Sequence, residues 1–360
     1  MKDPVNLVDF FEILKTCIFV GMDVHKEKWV ITINQGTERL QTFSMEADVN
    51  QLINKLAKEY GSHQIICAYE AGFCGFWICR ALEAAGINCL VVHAADIPTT
   101  NKEQRRKNDK LDSKKIAHHL CRQSLASIYI PTEEQERLRG LTRVKAKTAQ
   151  SKRQTMNRIR ACLNRMGVKE PKEFKGKKIW SIKGRKWLAQ IGEENQNWEL
   201  LENLEQYRYY RHRLTDLAKQ IKEKLNCSTF AKAYHYLQTA KGVGWWIAAL
   251  LITELGEIKR FKGLDQLASY CGIVPDISAS AESVKVKGLT KRANSRIRTA
   301  LVQAAWIAIK YDPALKAIYS KAVEAGKPKQ KAIIKVTKKL LSRIRAIWIG
   351  EKNYEIGVAA

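Results

Sequence analysis

Four carboxylates are the residues best placed to do chemistry: Asp23, Glu70, Asp109 and Asp112. Asp23 lies in the apolar, β-branched run CIFVGMDVHKEKWVITI, and Glu70 closes a second such run, HQIICAYE. Asp109 and Asp112 stand three apart in KNDKLDSKK, so on a helix they share one face. Two strand acids and a helical acid pair could together hold two divalent ions, Mg2+ or Mn2+. Such ions, roughly 4 Å apart, clamp the attacking and leaving oxygens of a phosphodiester. An unpaired charge inside an apolar strand is costly, and a bound cation at Asp23 would remove that cost. Taken singly, each acid also reads as a turn, a cap or a solvated helix face. Lys107, Lys110, Lys114 and Lys115 surround the acid pair and could hold a substrate backbone, while His25 and Lys26 directly follow Asp23.

The chain has 360 residues, a length that suggests two or three domains. Its formal net charge is +27, which points to a polyanionic partner, DNA or RNA, before an anionic membrane. The charge is spread along the chain and not gathered on one amphipathic helix. Nine cysteines, an odd number with no close CxxC pair, read as reduced thiols. No signal peptide is expected in residues 1–16, and the run WWIAALLI is too short to span a bilayer. A soluble, bacterial cytoplasmic protein with no membrane partner is therefore expected.

Three parts can be placed along the chain. Residues 17–130 read as α/β: strands CIFVGMDV, WVITIN and RLQTFS, a helix over 47–60, strand HQIICAYE, helix GFWICRALEAAG and strand NCLVVHA. A three-strand meander followed by strand–helix–strand is the order of an RNase H/RuvC-like domain. Residues 131–235 lose proline and glycine and read as a helical, coiled-coil-like middle, with Leu204, Tyr207, Leu214, Leu217, Ile221 and Leu225 in a broken heptad. That spacing fits either a dimer contact or a bundle within one chain. In KEPKEFKGKKIWSIKGRKW, Lys177, Lys178 and Arg185 alternate with Phe174, Trp180 and Trp187. Cations could hold phosphates there while aromatic faces stack on bases; a basic loop with anchoring aromatics is the alternative. Residues 236–350 read as a mostly helical carboxyl-terminal part. Its GVG turn before WWIAALLI is helix-hairpin-helix-like, and free amides at the helix start could receive a phosphate.

GMDVHK, YEAGFCGFW and KNDKLDSKKIAHHL together resemble the amino-terminal RuvC-like domain of the DEDD transposases of bacterial insertion sequences, which are related to the Piv and MooV DNA invertases. KGVGWWIAALLITELGEIKRFKGLDQLASYCGIVPDISAS and GLTKRANSRIRTALVQAAW resemble the carboxyl-terminal domain of the same family. The resemblance covers most of the chain apart from the first sixteen residues and the helical middle. It implies metal-assisted DNA cleavage and rejoining, with a carboxyl-terminal serine attacking the phosphodiester to form a covalent phosphoserine. It also implies guidance by an element-encoded RNA and a homo-oligomer, dimer or tetramer. Counted from Gly272 and Pro275, Ser280 falls at the family's serine, with Ala281 where the family has glycine. Ser278 is the alternative and Ser283 the third choice. Lys285, Lys287, Lys291, Arg292, Arg296 and Arg298 make a basic face beside this loop, suited to phosphates. Two other readings stay open. One is a metal-dependent, junction-resolving nuclease that uses water; the other is an inactive nucleic-acid-binding protein.

Overall fold

The computed structural model describes residues 16–98, 109–280, 283–290 and 293–357, with the side chains of 109–110 and 277–287 outside that description. The chain divides between Ile130 and Pro131 into two compact units.

The first unit is built on a five-stranded sheet of order β3-β2-β1-β4-β5. Its strands are β1 (Cys17–Val24), β2 (Lys28–Gln35), β3 (Glu38–Glu46), β4 (Gln64–Glu70) and β5 (Asn88–Val92). Helix α1 (Val49–Tyr60) connects β3 to β4, α2 (Trp77–Ala84) connects β4 to β5, and α3 (Asp109–Cys121) follows. β1 runs antiparallel to β2 and parallel to β4, and β5 is parallel to β4. These elements match the strand and helix order read from the sequence.

The central strand is apolar on both faces because both are covered, and side chains alternate between them. Ile18, Val20 and Met22 pack with Leu52 and Leu56 of α1 and with Ile78 and Leu82 of α2. Cys17 and Phe19 face the other way, onto Ile116, Leu120 and Cys121 of α3. Gly21 belongs to this second face, and there the helix presses directly on the strand. A Cβ at Gly21 would lie 2.3 Å from both the Ala117 amide nitrogen and the Ser113 carbonyl oxygen. The hydroxyls of Thr32 and Ser113, 2.9 Å apart, tie α3 to β2.

The second unit is helical apart from one ribbon. Long helices α4 (Glu133–Arg165) and α6 (Trp198–Asn226) form a hairpin that packs α5 (Ile182–Glu194). Then follow α7 (Ala231–Thr239), α8 (Trp245–Leu255), α9 (Leu264–Cys271), the antiparallel ribbon β6 (Pro275–Ser280) and β7 (Ser283–Leu289), α10 (Ser295–Tyr311), α11 (Pro313–Glu324) and α12 (Lys329–Gly350). The helical middle does not stand apart from the carboxyl-terminal part. Leu138 of α4 and Ile221 and Leu225 of α6 share one core with Leu251, Leu301 and Leu340. A separate core, with Ile159, Leu163, Leu188 and Leu204, joins α4, α5 and α6. Within this chain Leu204, Tyr207, Leu217, Ile221 and Leu225 of the heptad-like stripe of α6 are buried, and Leu214 is half-buried.

Helix α8 is buried from Ala248 to Leu255, which explains its unbroken apolar run. The ribbon was not expected. SVKVKGL alternates apolar and basic residues over Val284–Lys287, a period of two that could have marked it.

Candidate active site

Strand register brings two of the acids together. Met22 pairs with Tyr69 across the parallel β1–β4 ladder, so the next residue on each strand is Asp23 or Glu70. Alternation puts both on the face covered by α3: Asp23 continues Cys17, Phe19 and Gly21, and Glu70 continues Ile66 and Ala68. The helix completes the geometry by its direction. Ser113 meets Thr32, the partner of Gly21, whereas Cys121 packs with Cys17 and Phe19. α3 thus runs antiparallel to β1, and its first turn, with Asp109 and Asp112, lies at the sheet end that carries Asp23 and Glu70.

Asp23 is not the unpaired interior charge that its apolar surroundings suggest. Its side chain is 18% exposed, and the His25 imidazole lies 3.2 Å from its carboxylate. Glu70 and Asp112 are exposed. Among the described residues, no three Asp, Glu, His or Cys side chains already form a group that could hold a metal ion. The Asp109 side chain lies outside those residues. In kind the donors suit a hard divalent cation such as Mg2+ or Mn2+, since all are carboxylates. Lys114 and Lys115 are half-buried on α3; Lys107 and the side chain of Lys110 lie outside the described residues.

Ser278 and Ser280 lie on β6. Ser280 pairs with Ser283 at the far end of the ribbon, and Ser278 pairs with Lys285 two positions closer to its base. The side chains of these residues and of Lys287 are outside the description, as are Lys291 and Arg292 altogether. Two expected phosphate contacts take different roles. Arg298 turns inward and donates to the Thr290 carbonyl, while Gly272 lies against its guanidinium. It therefore fastens the base of the ribbon. Trp180 is not an open platform: its ring sits 5.0 Å from that of Tyr207 and packs on the α4–α5–α6 core, with the Arg160 guanidinium 5.6 Å from its centre. Phe174 and Trp187 pack on the same core, so these aromatics anchor the loop. Arg185 is half-buried, and burial with the nearby Arg211 charge lowers its pKa. Lys177, Lys178 and Arg296 are exposed. At the GVG turn, Gly242 serves packing: its φ is +88°, and a Cβ there would strike the Ala304 carbonyl of α10 at 2.2 Å.

Sequence reasoning missed Glu254. Its side chain is 1% exposed and takes two hydrogen bonds of 2.9 Å from the Arg143 guanidinium. Asn294 donates a third, also 2.9 Å, and its own Oδ1 caps α10 by accepting from the Arg296 and Ile297 amides. Burial pushes the Glu254 carboxyl up, but Arg143, with Asn294 and Arg139, outweighs it and holds the carboxyl below its ordinary range. Three helices, α4, α8 and α10, meet at this carboxylate. In sequence the only trace is one acid near the end of an otherwise apolar helix.

A mixed α/β sheet covered by helices on both faces, with paired strand acids and a helical second unit in the same chain, is the arrangement of a DEDD-type transposase. Residues 20–167 match the DEDD transposase family of the IS110 type, and residues 234–320 match the family described as Transposase IS116/IS110/IS902. The chain belongs to this family, and it is a DNA transposase, an enzyme that cleaves and rejoins DNA. Among its relatives, a candidate transposase of Sinorhizobium fredii, y4rJ, is 29% identical over 82% of this chain and 81% of its own length. The transposase for insertion sequence element IS1533 of Leptospira borgpetersenii is 28% identical over 68% of this chain and 72% of its own length. The pilin gene-inverting protein of Moraxella bovis is 27% identical over 38% of this chain and 43% of its own length.

Proposed function

We propose that the protein moves its element by attack of a serine hydroxyl on a DNA phosphodiester, beside acids that hold divalent metal in an RNase H/RuvC-like domain. The observation that carries this reading is the β1–β4 register, which sets Asp23 and Glu70 side by side on the α3 face. Asp23, Glu70, Asp109 and Asp112 would be the ligands of Mg2+ or Mn2+. When bound, such a metal supplies positive charge to offset the charge that grows on the phosphate oxygens. The Ser280 oxygen attacks phosphorus and gives up its proton, the bond to the leaving strand breaks, and that strand departs with its oxygen protonated. The phosphoserine keeps the bond energy for rejoining. Ser278 is the second choice. In this reading an element RNA guides pairing with donor and target, and the protein works in the bacterial cytoplasm as a dimer or tetramer. The large positive charge supports a nucleic-acid partner, and the family resemblance supports the guide RNA and the oligomer.

Denaturing gels on a nicked DNA substrate test the nucleophile. The parent is expected to form a covalent protein–DNA adduct that Ser280→Ala abolishes and Ser278→Ala leaves. Loss of the adduct in Ser278→Ala alone would move the role to Ser278. Cleavage without adduct in the parent and in both variants would mean that water attacks.

A further inference from the structure

A groove of about 740 Å³ in the helical unit is lined from three sides by α4, α8 and α10. Its floor is apolar, from Trp246, Ile247 and Leu250 of α8. One wall is a stripe along α4: Arg143, Lys147, Gln150 and Arg153, at spacings of four, three and three. The other wall is the start of α10, with Arg296 exposed and Ser295, Thr299 and Gln303 beside it. Lys145 covers the floor, its ammonium 3.7 Å from the centre of the Trp246 ring. No carboxylate lines the groove among the described residues. Lys147, Arg153 and Arg296 form no ion pair among those residues, while Arg143 is engaged by Glu254 from beneath.

The geometry points to a binding site for the sugar–phosphate backbone of DNA in this groove, with Lys147, Arg153 and Arg296 as the phosphate contacts. Cations on two facing walls with no acid between them suit a polyanion and repel a cationic ligand. Lys147 and Arg153 stand six residues apart, about 9 Å along α4, with Arg296 on the opposite wall, so together they meet several charges along a strand rather than one isolated anion. The hydroxyl of Ser295 and the amides of Gln150 and Gln303 are donors of the kind that fix a backbone without reading bases. Burial lowers the pKa of Lys145, a sign that the floor excludes water and strengthens charge interactions above it. DNA is favoured over RNA because DNA is what a transposase cuts. The site rests on that membership only, and not on the serine or the metal.

Binding of a short labelled DNA duplex to the full chain, followed against salt, tests it. Lys147→Ala/Arg153→Ala/Arg296→Ala should weaken binding about ten-fold or more and flatten the log K against log salt slope by about 2 to 3, one step per phosphate lost. Lys316→Ala/Lys321→Ala/Lys329→Ala removes the same charge elsewhere and should keep the parent slope. Arg153→Glu alone should weaken binding in the same sense and guards against a folding defect in the triple variant. Equal losses in the two triple variants would overturn the groove, as would unchanged binding in the first. So would loss of a matched single-stranded RNA with DNA binding intact. The assay reads binding of uncleaved duplex without added divalent metal, so a failure of the catalytic reading would not be mistaken for a failure here.

Discussion

At the residue scale, two carboxylates in different surroundings have different tasks. Asp23 is partly exposed at a strand exit beside His25, open to a ligand, whereas Glu254 is sealed under Arg143 and Asn294. Glu254→Ala should lower stability by about 2 kcal/mol, because it removes charge-assisted hydrogen bonds while Arg143 keeps partial access to water. A thermal melt checks this. The pH dependence has a definite sign. The Glu254 carboxyl is held below its ordinary value of 4.5 in the folded chain, so the stability it adds is full above that value and is lost as pH falls below it. Glu254→Gln should therefore melt with a flatter pH profile on the acid side than the parent. Asp23→Ala, by contrast, should abolish cleavage while leaving the melt near that of the parent, since the side chain is not buried in the core.

At the element scale, α3 carries the acid pair and β1 receives it at Gly21. Both atoms that a Cβ would strike there belong to the helix backbone, so no side chain can swing aside. Gly21→Ala should cost about 1–3 kcal/mol or more and shift α3, and with it Asp112, relative to Asp23. The expected result is lost cleavage with a lowered melting temperature. The sheet was legible in advance because four of its five strands are short apolar runs with β-branched residues, and Asp23 and Glu70 stood out because they break or end two of those runs. Arg298 and Trp180 were not legible in that way. A basic or aromatic residue in sequence does not say whether it faces water, and here a carbonyl and a core claim them. The ribbon was overlooked because its alternation is short and begins beside serines that suit any loop.

At the scale of the whole chain there are two compact units, and the second is welded by a shared core that local periodicity cannot reveal. The last helix is fixed by a buried pair: Arg343 donates to Asp312 at 2.6 Å, and Tyr354 beyond the helix donates to the same carboxylate. Arg343→Leu should cost about 3–5 kcal/mol by leaving that carboxylate without its cation, a loss that chemical denaturation would register. Long helices give the same unit a mechanical property. α4 has 33 residues, about 50 Å of continuous rod, and α6 stiffens it over most of that length. One end is rooted in the large core beneath the cationic groove and the other holds the small α4–α5–α6 core. A load on the small core would therefore be carried toward the groove along two paired helices, which curve only gently.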